Sequence, residues 1–281
     1  MPTFPTPSPI DVAINLQVGR IDVVASDRSD TVVTVAPSNS KTSDRAIDDT
    51  KISFAGGRLS VIGPKPKISW IGPSSGDSVD ITVEVPSGSR LTAEIAVGNL
   101  RTTGRLGATR IKSATGSVDV DWAADVWLRA SHGGAAVGRA DGGIDITAAY
   151  GQIRVDTVVG DAVLKSSYGG VHVGESGGDL EAKLSYGDLT IARALGSVSA
   201  KTAFGNASID EVSSGSIELD SGFGQVTVGV RAGVAAWLDL FSKSGRIRNE
   251  LEDEGAPAAS EQIVDVRART SSGDITITRA R

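Results

Sequence analysis

Residues Ser166–Gly196 read SSYGGVHVGESGGDLEAKLSYGDLTIARALG, and the triplet Ser-Tyr-Gly occurs in them twice, 18 residues apart. The chain has three tyrosines, Tyr150, Tyr168 and Tyr186, and all lie on that ruler. With the glycine after each tyrosine as anchor, the series extends to Gly98, Gly116, Gly133, Gly151, Gly169, Gly187, Gly205, Gly224, Gly245 and Gly273. The intervals are 18, 17, 18, 18, 18, 18, 19, 21 and 28 residues. A fixed period of this length marks a repeat architecture. A second breaker follows most anchors by nine residues, as at Gly107, Gly142, Gly160, Gly178, Gly196 and Gly233, so each unit consists of two halves.

Each half begins at a breaker and then alternates. Apolar residues stand two and four places after the anchors: Val118 and Val120, Ile153 and Val155, Val171 and Val173, Leu189 and Ile191, Val226 and Val228, Ile275 and Ile277. Polar residues such as Arg154, His172, Glu181 and Glu218 lie between apolar ones. Alternation with period two over a short run bounded by Gly, Ser and Asp reads as a half-buried strand. Hairpins alone would not keep one position the same from unit to unit, whereas coiling does. The expected fold is therefore all-β: a single-chain, β-helix-like β-solenoid with about 18 residues per turn and two short strands per turn. Equivalent residues then stack at about 4.8 Å, and the coils from Gly98 to Gly273 would measure roughly 43 Å.

Stacking turns the residue before each anchor into a ladder: His132, Tyr150, Tyr168, Tyr186, Phe204, Phe223. Parity with Leu180, Ala182 and Leu184 places Tyr186 on the inward set and favours a structural stack of rings at a corner of the coil. The competing reading is an exposed platform for a sugar or a peptide. Lys165, Lys183 and Lys201 form a second column, on the outward set. Their stems are expected to fan into water with Glu181 relieving the field, the alternative being a site for an anionic ligand or an acidic partner. The candidate binding residues are thus Lys165, Lys183, Lys201, Tyr150, Tyr168 and Tyr186, together with Trp70.

The first third is less regular. Strands are expected at Ile10 to Leu16, Ile21 to Ala25, Thr31 to Ala36, Lys51 to Phe54, Arg58 to Ile62, Ser78 to Val85 and Leu91 to Val97, in one or two wider turns with insertions. The organisation is then a disordered leader at 1–9, irregular turns and cap at 10–97 with insertions at 37–50 and 63–78, and a regular solenoid at 98–281 with a cap loop at 251–261. The insertion SNSKTSDRAIDDT suits a short helix capped by Ser43. In GPKPKISWIGPSSGD, three prolines keep the segment out of the ladder, and Ile68, Trp70 and Ile71 suit a cover over the open end of the coil, the alternative being an exposed hydrophobic tip that touches a partner. Trp237 and Phe241 are expected to close the other end before Ile263 to Ala268 and Ile275 to Thr278 return as the last strands.

Composition narrows the function. A net charge of −6 and a pI near 5.0 argue against nucleic acid or an anionic membrane as partner. No cysteine is present, so there is neither a disulfide nor a thiolate metal site. The opening MPTFPTPSP has no apolar stretch of a signal peptide, and no run approaches 18 apolar residues, so a soluble, cytoplasmic chain without membrane insertion is expected. No cofactor or metal is expected: His132 and His172 are not spaced as zinc ligands, and halves such as GGDLEAKLS lack the aspartate and third glycine of calcium-binding nonapeptides. Asp121, Asp156 and Asp210 share one offset, but Asp156 and Asp210 are three turns, about 14 Å, apart. That is wide for a two-carboxylate site.

The 18-residue coils, the junction VPSGSRLTAEIAVGNL, the segment AAWLDLFSKSGRIRNELE and the terminal VRARTSSGDITITR together resemble the DUF4097 group of adhesin-type β-strand repeat domains, over Ile10 to Arg279. The resemblance implies a single-chain β-solenoid without catalytic residues, related to domains of envelope-stress and antimicrobial-response proteins. The expected function is a non-enzymatic binding or scaffold module offering repetitive faces to a protein partner, in adhesion-like or envelope-stress processes. The alternatives are a polysaccharide-active β-helix enzyme and a structural protein that self-associates through its ends.

Overall fold

The computed structural model describes residues 1–38, 44–65, 68–69, 72–73, 78–251 and 263–280. It divides into two compact units, Met1–Asp141 and Gly142–Arg281.

In the second unit the nine-residue halves become strands β14 (Ile144–Tyr150), β15 (Ile153–Val158), β16 (Ala162–Tyr168), β17 (Val171–Ser176), β18 (Leu180–Tyr186), β19 (Leu189–Ala194), β20 (Val198–Phe204), β21 (Ala207–Val212), β22 (Gly215–Phe223), β23 (Val226–Val230), β24 (Ala235–Ser242), β25 (Ile247–Asn249), β26 (Ile263–Ser272) and β27 (Ile275–Arg279). Each strand pairs in parallel with its counterpart one coil away. Leu180 faces Val198, Lys183 faces Lys201 and Tyr186 faces Phe204. The chain is thus a β-solenoid of 18-residue coils with two strands per coil, as its period implies. The even-numbered strands from β14 to β22 make one face and the odd-numbered strands from β15 to β23 the other.

Between the faces lies a thin core of inward columns, such as Ile146, Leu164, Ala182, Ala200 and Leu219, all buried. Each Val, Leu or Ile so buried contributes about 1.5–3 kcal/mol. Near the corner the inward column becomes partly polar, with Ser166, Thr202, Ser221 and Thr270. Their hydroxyls are not orphaned: Ser166 donates to the carbonyl of Gly169 (2.9 Å), Ser221 to Gly205 (3.1 Å) and Thr270 to Gly224 (3.1 Å). Corner N–H groups are met by side chains of the adjacent coil. Asp188 accepts from the Asn206 N–H (2.7 Å), and Asn206 from the Gln225 N–H (2.9 Å).

The corner itself explains the anchor. Gly187 has φ +143°, and a Cβ there would sit 2.4 Å from the carbonyl oxygen of Gly169 one coil away. Both the dihedral and the close approach demand glycine. The stacking order departs from the chain order at the last anchors. A Cβ on Gly273 would strike the Gly224 carbonyl, and one on Gly245 the Gly273 carbonyl, so Gly273 stacks between the other two. Accordingly β26 and β27 pair with β22 and β23 on one side and with β24 and β25 on the other. The last segment is inserted one coil inward.

The first unit comprises β1 (Thr3–Pro5), β2 (Asp11–Ser26), β3 (Asp30–Pro37), α1 (Asp44–Asp48), β4 (Lys51–Ala55), β5 (Arg58–Ile62), β6 (Ile68–Ser69), β7 (Gly72–Pro73), β8 (Val79–Pro86), β9 (Arg90–Leu106), β10 (Thr109–Thr115), β11 (Val118–Ala123), β12 (Val126–His132) and β13 (Ala135–Ala140). It shows the same device. β2 runs through a whole coil and lies in parallel between β5 and β8 on one side and β9 on the other. Gly19, aligned with Gly98 and at φ +140°, is therefore a further anchor. An 18-residue period does not reach it, because its stacking neighbour is 79 residues away. Beyond β5 and β8 the parallel order stops: β4 pairs antiparallel with β5, and β3 antiparallel with β8.

The first nine residues, expected as a disordered leader, instead supply β1, which pairs antiparallel with β3. The buried Thr6 hydroxyl meets that of Thr31 at 2.8 Å. Pairing of an edge strand and burial of a hydroxyl partner outweigh the loop-like composition. Helix α1 falls within the insertion for which a short helix was expected; Ser43 lies outside the described residues. So do Trp70 and Ile71, and with them the cover expected over the open end.

Replacing Gly187 by Ala is expected to cost roughly 3 kcal/mol or more, since strain and backbone collision coincide. Gly233 has φ +77° but open space where its Cβ would be; its Ala variant is expected to lose only about 1–2 kcal/mol. Urea denaturation of the two variants measures the difference.

Candidate binding face

Alternation on β16, β18, β20 and β22 places Lys165, Lys183, Lys201 and Asp220 in one outward column, each aligned with the next. The three lysines stack on consecutive coils as their spacing implies. Carboxylates interrupt the repulsion: Lys183 reaches Glu181 of its own strand at 2.5 Å, and Lys201 reaches Asp220 of the next coil at 3.3 Å. The Lys183 hydrogen bond and charge, with Lys165 adding its field, hold the Glu181 carboxyl below the usual glutamate range. The lysines are exposed and the two carboxylates half-exposed, so water and salt screen the pairs and their value is modest.

A shallow groove of 840 Å³ opens at the end of this column, between Lys183, Lys201, Asp220, Asp239, Phe241 and Arg269. Arg269 aligns with Asp220 from β26, and Phe241 aligns with Arg269 from β24. Asp239 is held by Arg267 (3.2 Å) and Arg269 (3.3 Å). None of Asp239, Phe241 and Arg269 sits on the 18-residue ruler with the lysines. Only the inserted last segment brings them there, so the repeat alone carried no signal for them.

Along the corner beside this face runs the aromatic ladder. The rings of Tyr150 and Tyr168 stack at 4.9 Å and 2°, Tyr168 and Tyr186 at 5.0 Å and 1°, Tyr186 and Phe204 at 4.9 Å and 2°, Phe204 and Phe223 at 5.1 Å and 5°. The expected stack exists, but the expected inward orientation of Tyr186 does not, for its residue is 46% exposed. Parity fails at the corner: after buried Leu184 both Ser185 and Tyr186 are exposed, as the chain leaves regular alternation to enter Gly187. Since each inner ring has a neighbour on both faces, the inner rungs show water their edges rather than their faces. His132 belongs to the first unit, where it aligns with Thr115.

That first unit carries a separate polar cluster missed by periodicity. Asp141 accepts from the Trp122 indole N–H (2.9 Å) and from Arg139 (2.9 Å), and pairs with Arg105 (3.2 Å). The Arg139 hydrogen bond, reinforced by the indole and both guanidinium charges, pulls the Asp141 carboxyl below the ordinary aspartate range. The guanidinium carbons of Arg105 and Arg139 lie 5.2 and 5.8 Å from the Trp122 ring centroid, a cation–π arrangement on a strand surface. Every member is engaged by another, so the cluster holds adjacent coils together.

The model of the Toastrack DUF4097 family matches residues 11–278. The chain belongs to that family. The resemblance read from the order of its motifs is thereby borne out. Solved structures similar to this Toastrack chain include a candidate adhesin from Bacteroides fragilis, 12% identical over 98% of this chain and 95% of that one, with a TM-score of 0.33. A candidate lipid-binding protein from Parabacteroides distasonis is 12% identical over 98% and 95%, with a TM-score of 0.35. A candidate adhesin from the same species is 16% identical over 98% and 95%, with a TM-score of 0.30. No curated protein matches the Toastrack chain.

Two measurements test the site's energetics. Tyr186→Ala removes two ring contacts and is expected to cost about 1–3 kcal/mol in chemical denaturation, whereas Phe223→Ala removes one and costs about 0.5–1.5 kcal/mol. The Glu181 carboxylate, followed by carbon NMR, should titrate below free glutamate, and Lys183→Ala should move its midpoint back up. The sign follows from linkage: the pair helps the fold above the ordinary glutamate pKa and is lost as pH falls through the lowered value.

Proposed function

We propose that the chain is a non-enzymatic binding module that lays the outer face of β16, β18, β20 and β22 against a protein partner, in an adhesion-like or envelope-stress setting. The observation that carries this reading is the aromatic ladder. Sugar binding by aromatic side chains uses ring faces, and in this stack the faces are taken by neighbouring rings. A row of ring edges and hydroxyls beside a lysine column flanked by Glu181 and Asp220 suits the mixed polar and aromatic character of a protein interface. The acids support a binding role over catalysis. Asp156 is paired with Arg154 (2.9 Å), Glu175 with Arg193 (3.1 Å), and Asp121 accepts from the Gly104 N–H (2.8 Å). Among the described residues no group of three His, Asp or Glu could hold a metal, and no helix is long and apolar enough to cross a membrane.

The experiment is crosslinking and capture from native lysate with the wild type and the Lys165→Ala/Lys183→Ala/Lys201→Ala variant. The wild type should recover a defined protein, and the variant should recover at least about tenfold less of it while remaining folded. Equal recovery by the two would remove the lysine column from the interface. Binding of a labelled glycan with no protein recovered would overturn the reading as a whole.

A further inference from the structure

The second unit ends on β24, the strand Ala235–Ser242, and among the described residues this strand pairs with β26 alone. Leu238 and Leu240 continue inward columns occupied on β26 by fully buried Val266 and Ala268, yet no residue of β24 is itself buried. The apolar interior therefore runs out to this edge. On the outer side, Trp237 is 67% exposed and Phe241 58%. The centre of the strand reads Trp-Leu-Asp-Leu-Phe, and it is symmetric in chemical type about Asp239: aromatic, leucine, aspartate, leucine, aromatic.

A strand that reads the same in both directions matches itself when a second copy runs antiparallel. Geometry leaves few other arrangements. Where the same open edge of two copies meets and the contact closes, a two-fold axis relates them. An axis along the strand would set the polar face of one copy level with the interior of the other; an axis normal to the sheet keeps interior to interior and makes the strands antiparallel. We propose that a second copy of this chain docks on β24 in this way, with the axis at Asp239.

The register follows from the backbone. The Lys243 N–H donates to the Thr270 carbonyl at 3.0 Å, so odd-numbered residues of β24 turn their peptide groups towards β26. Ala236, Leu238, Leu240 and Ser242 turn theirs to the open edge. About an axis at Asp239, Leu238 exchanges hydrogen bonds with Leu240 of the second copy, and their side chains prolong the interior. Trp237 lies across from Phe241 of the second copy, and the reverse, forming two aromatic cross-strand pairs. The two Asp239 carboxylates approach each other, and Arg267 and Arg269, already within 3.3 Å of Asp239, balance them.

The test uses the absence of native cysteine. Asp239 faces itself in a non-hydrogen-bonded pair with Cα atoms about 4.5 Å apart, within disulfide reach. Asp239→Cys should therefore oxidise to a covalent dimer with the far-ultraviolet circular dichroism of the wild type. Arg269→Cys, one strand inward on each copy, should remain monomeric on a non-reducing gel. Sedimentation velocity of the wild type should show a reversible monomer–dimer equilibrium, and Trp237→Lys/Phe241→Lys should abolish it without loss of fold. A wild type that stays monomeric at all concentrations, oligomers that grow without closing, or a dimer in which Asp239→Cys fails to crosslink would each overturn the proposal. None of these results bears on the lysine face, so the two readings stand or fall separately.

Discussion

Parallel pairing of each coil with an equivalent coil about 4.8 Å away is the constraint from which the rest of the molecule follows. At that distance like side chains must meet like side chains. Identical phenol rings become a continuous stack, and identical ammonium groups need carboxylates among them. A corner residue has no room for a Cβ because the carbonyl of the equivalent residue already occupies the place, 2.4 Å away at Gly187. The glycine period is thus a consequence of stacking, not a signature laid over it.

This is also why so much of the fold was legible beforehand. A repeat that stacks on itself writes its geometry into the sequence as a period, and the period alone places the lysine column and the tyrosine column. What could not be read was whatever breaks local regularity. Tyr186 faces water because strand alternation lapses between Leu184 and the corner glycine, a backbone event with no mark in the side-chain pattern. Gly19 stacks on Gly98 although 79 residues separate them. Arg269 comes to lie beside Asp220 only because the chain passes outward through β24 and β25 and then returns. In each case the contact partner is set by tertiary routing, which a period cannot encode.

The two candidate surfaces differ in kind for the same reason. Along the lateral face β16, β18 and β20 have ladder partners on both sides, so side-chain chemistry is what they offer a partner: ring edges, hydroxyls and screened charges. At β24 the backbone itself is on offer along one edge, with half-buried leucines behind it and two large aromatic residues beside it. Interior strands of a solenoid present the first kind of surface and terminal strands the second. The groove formed by Asp220, Asp239, Phe241 and Arg269 lies where one passes into the other.

The inserted end segments bear on how each unit carries load. Were β2 and β26 outermost, a pull on the chain would peel them away one hydrogen bond at a time. Lying instead between two neighbours, each is gripped along both edges, and tension applied along the strand must shear two ladders together before anything yields. Mechanical toughness is then a matter of chain routing, obtained without a single covalent crosslink.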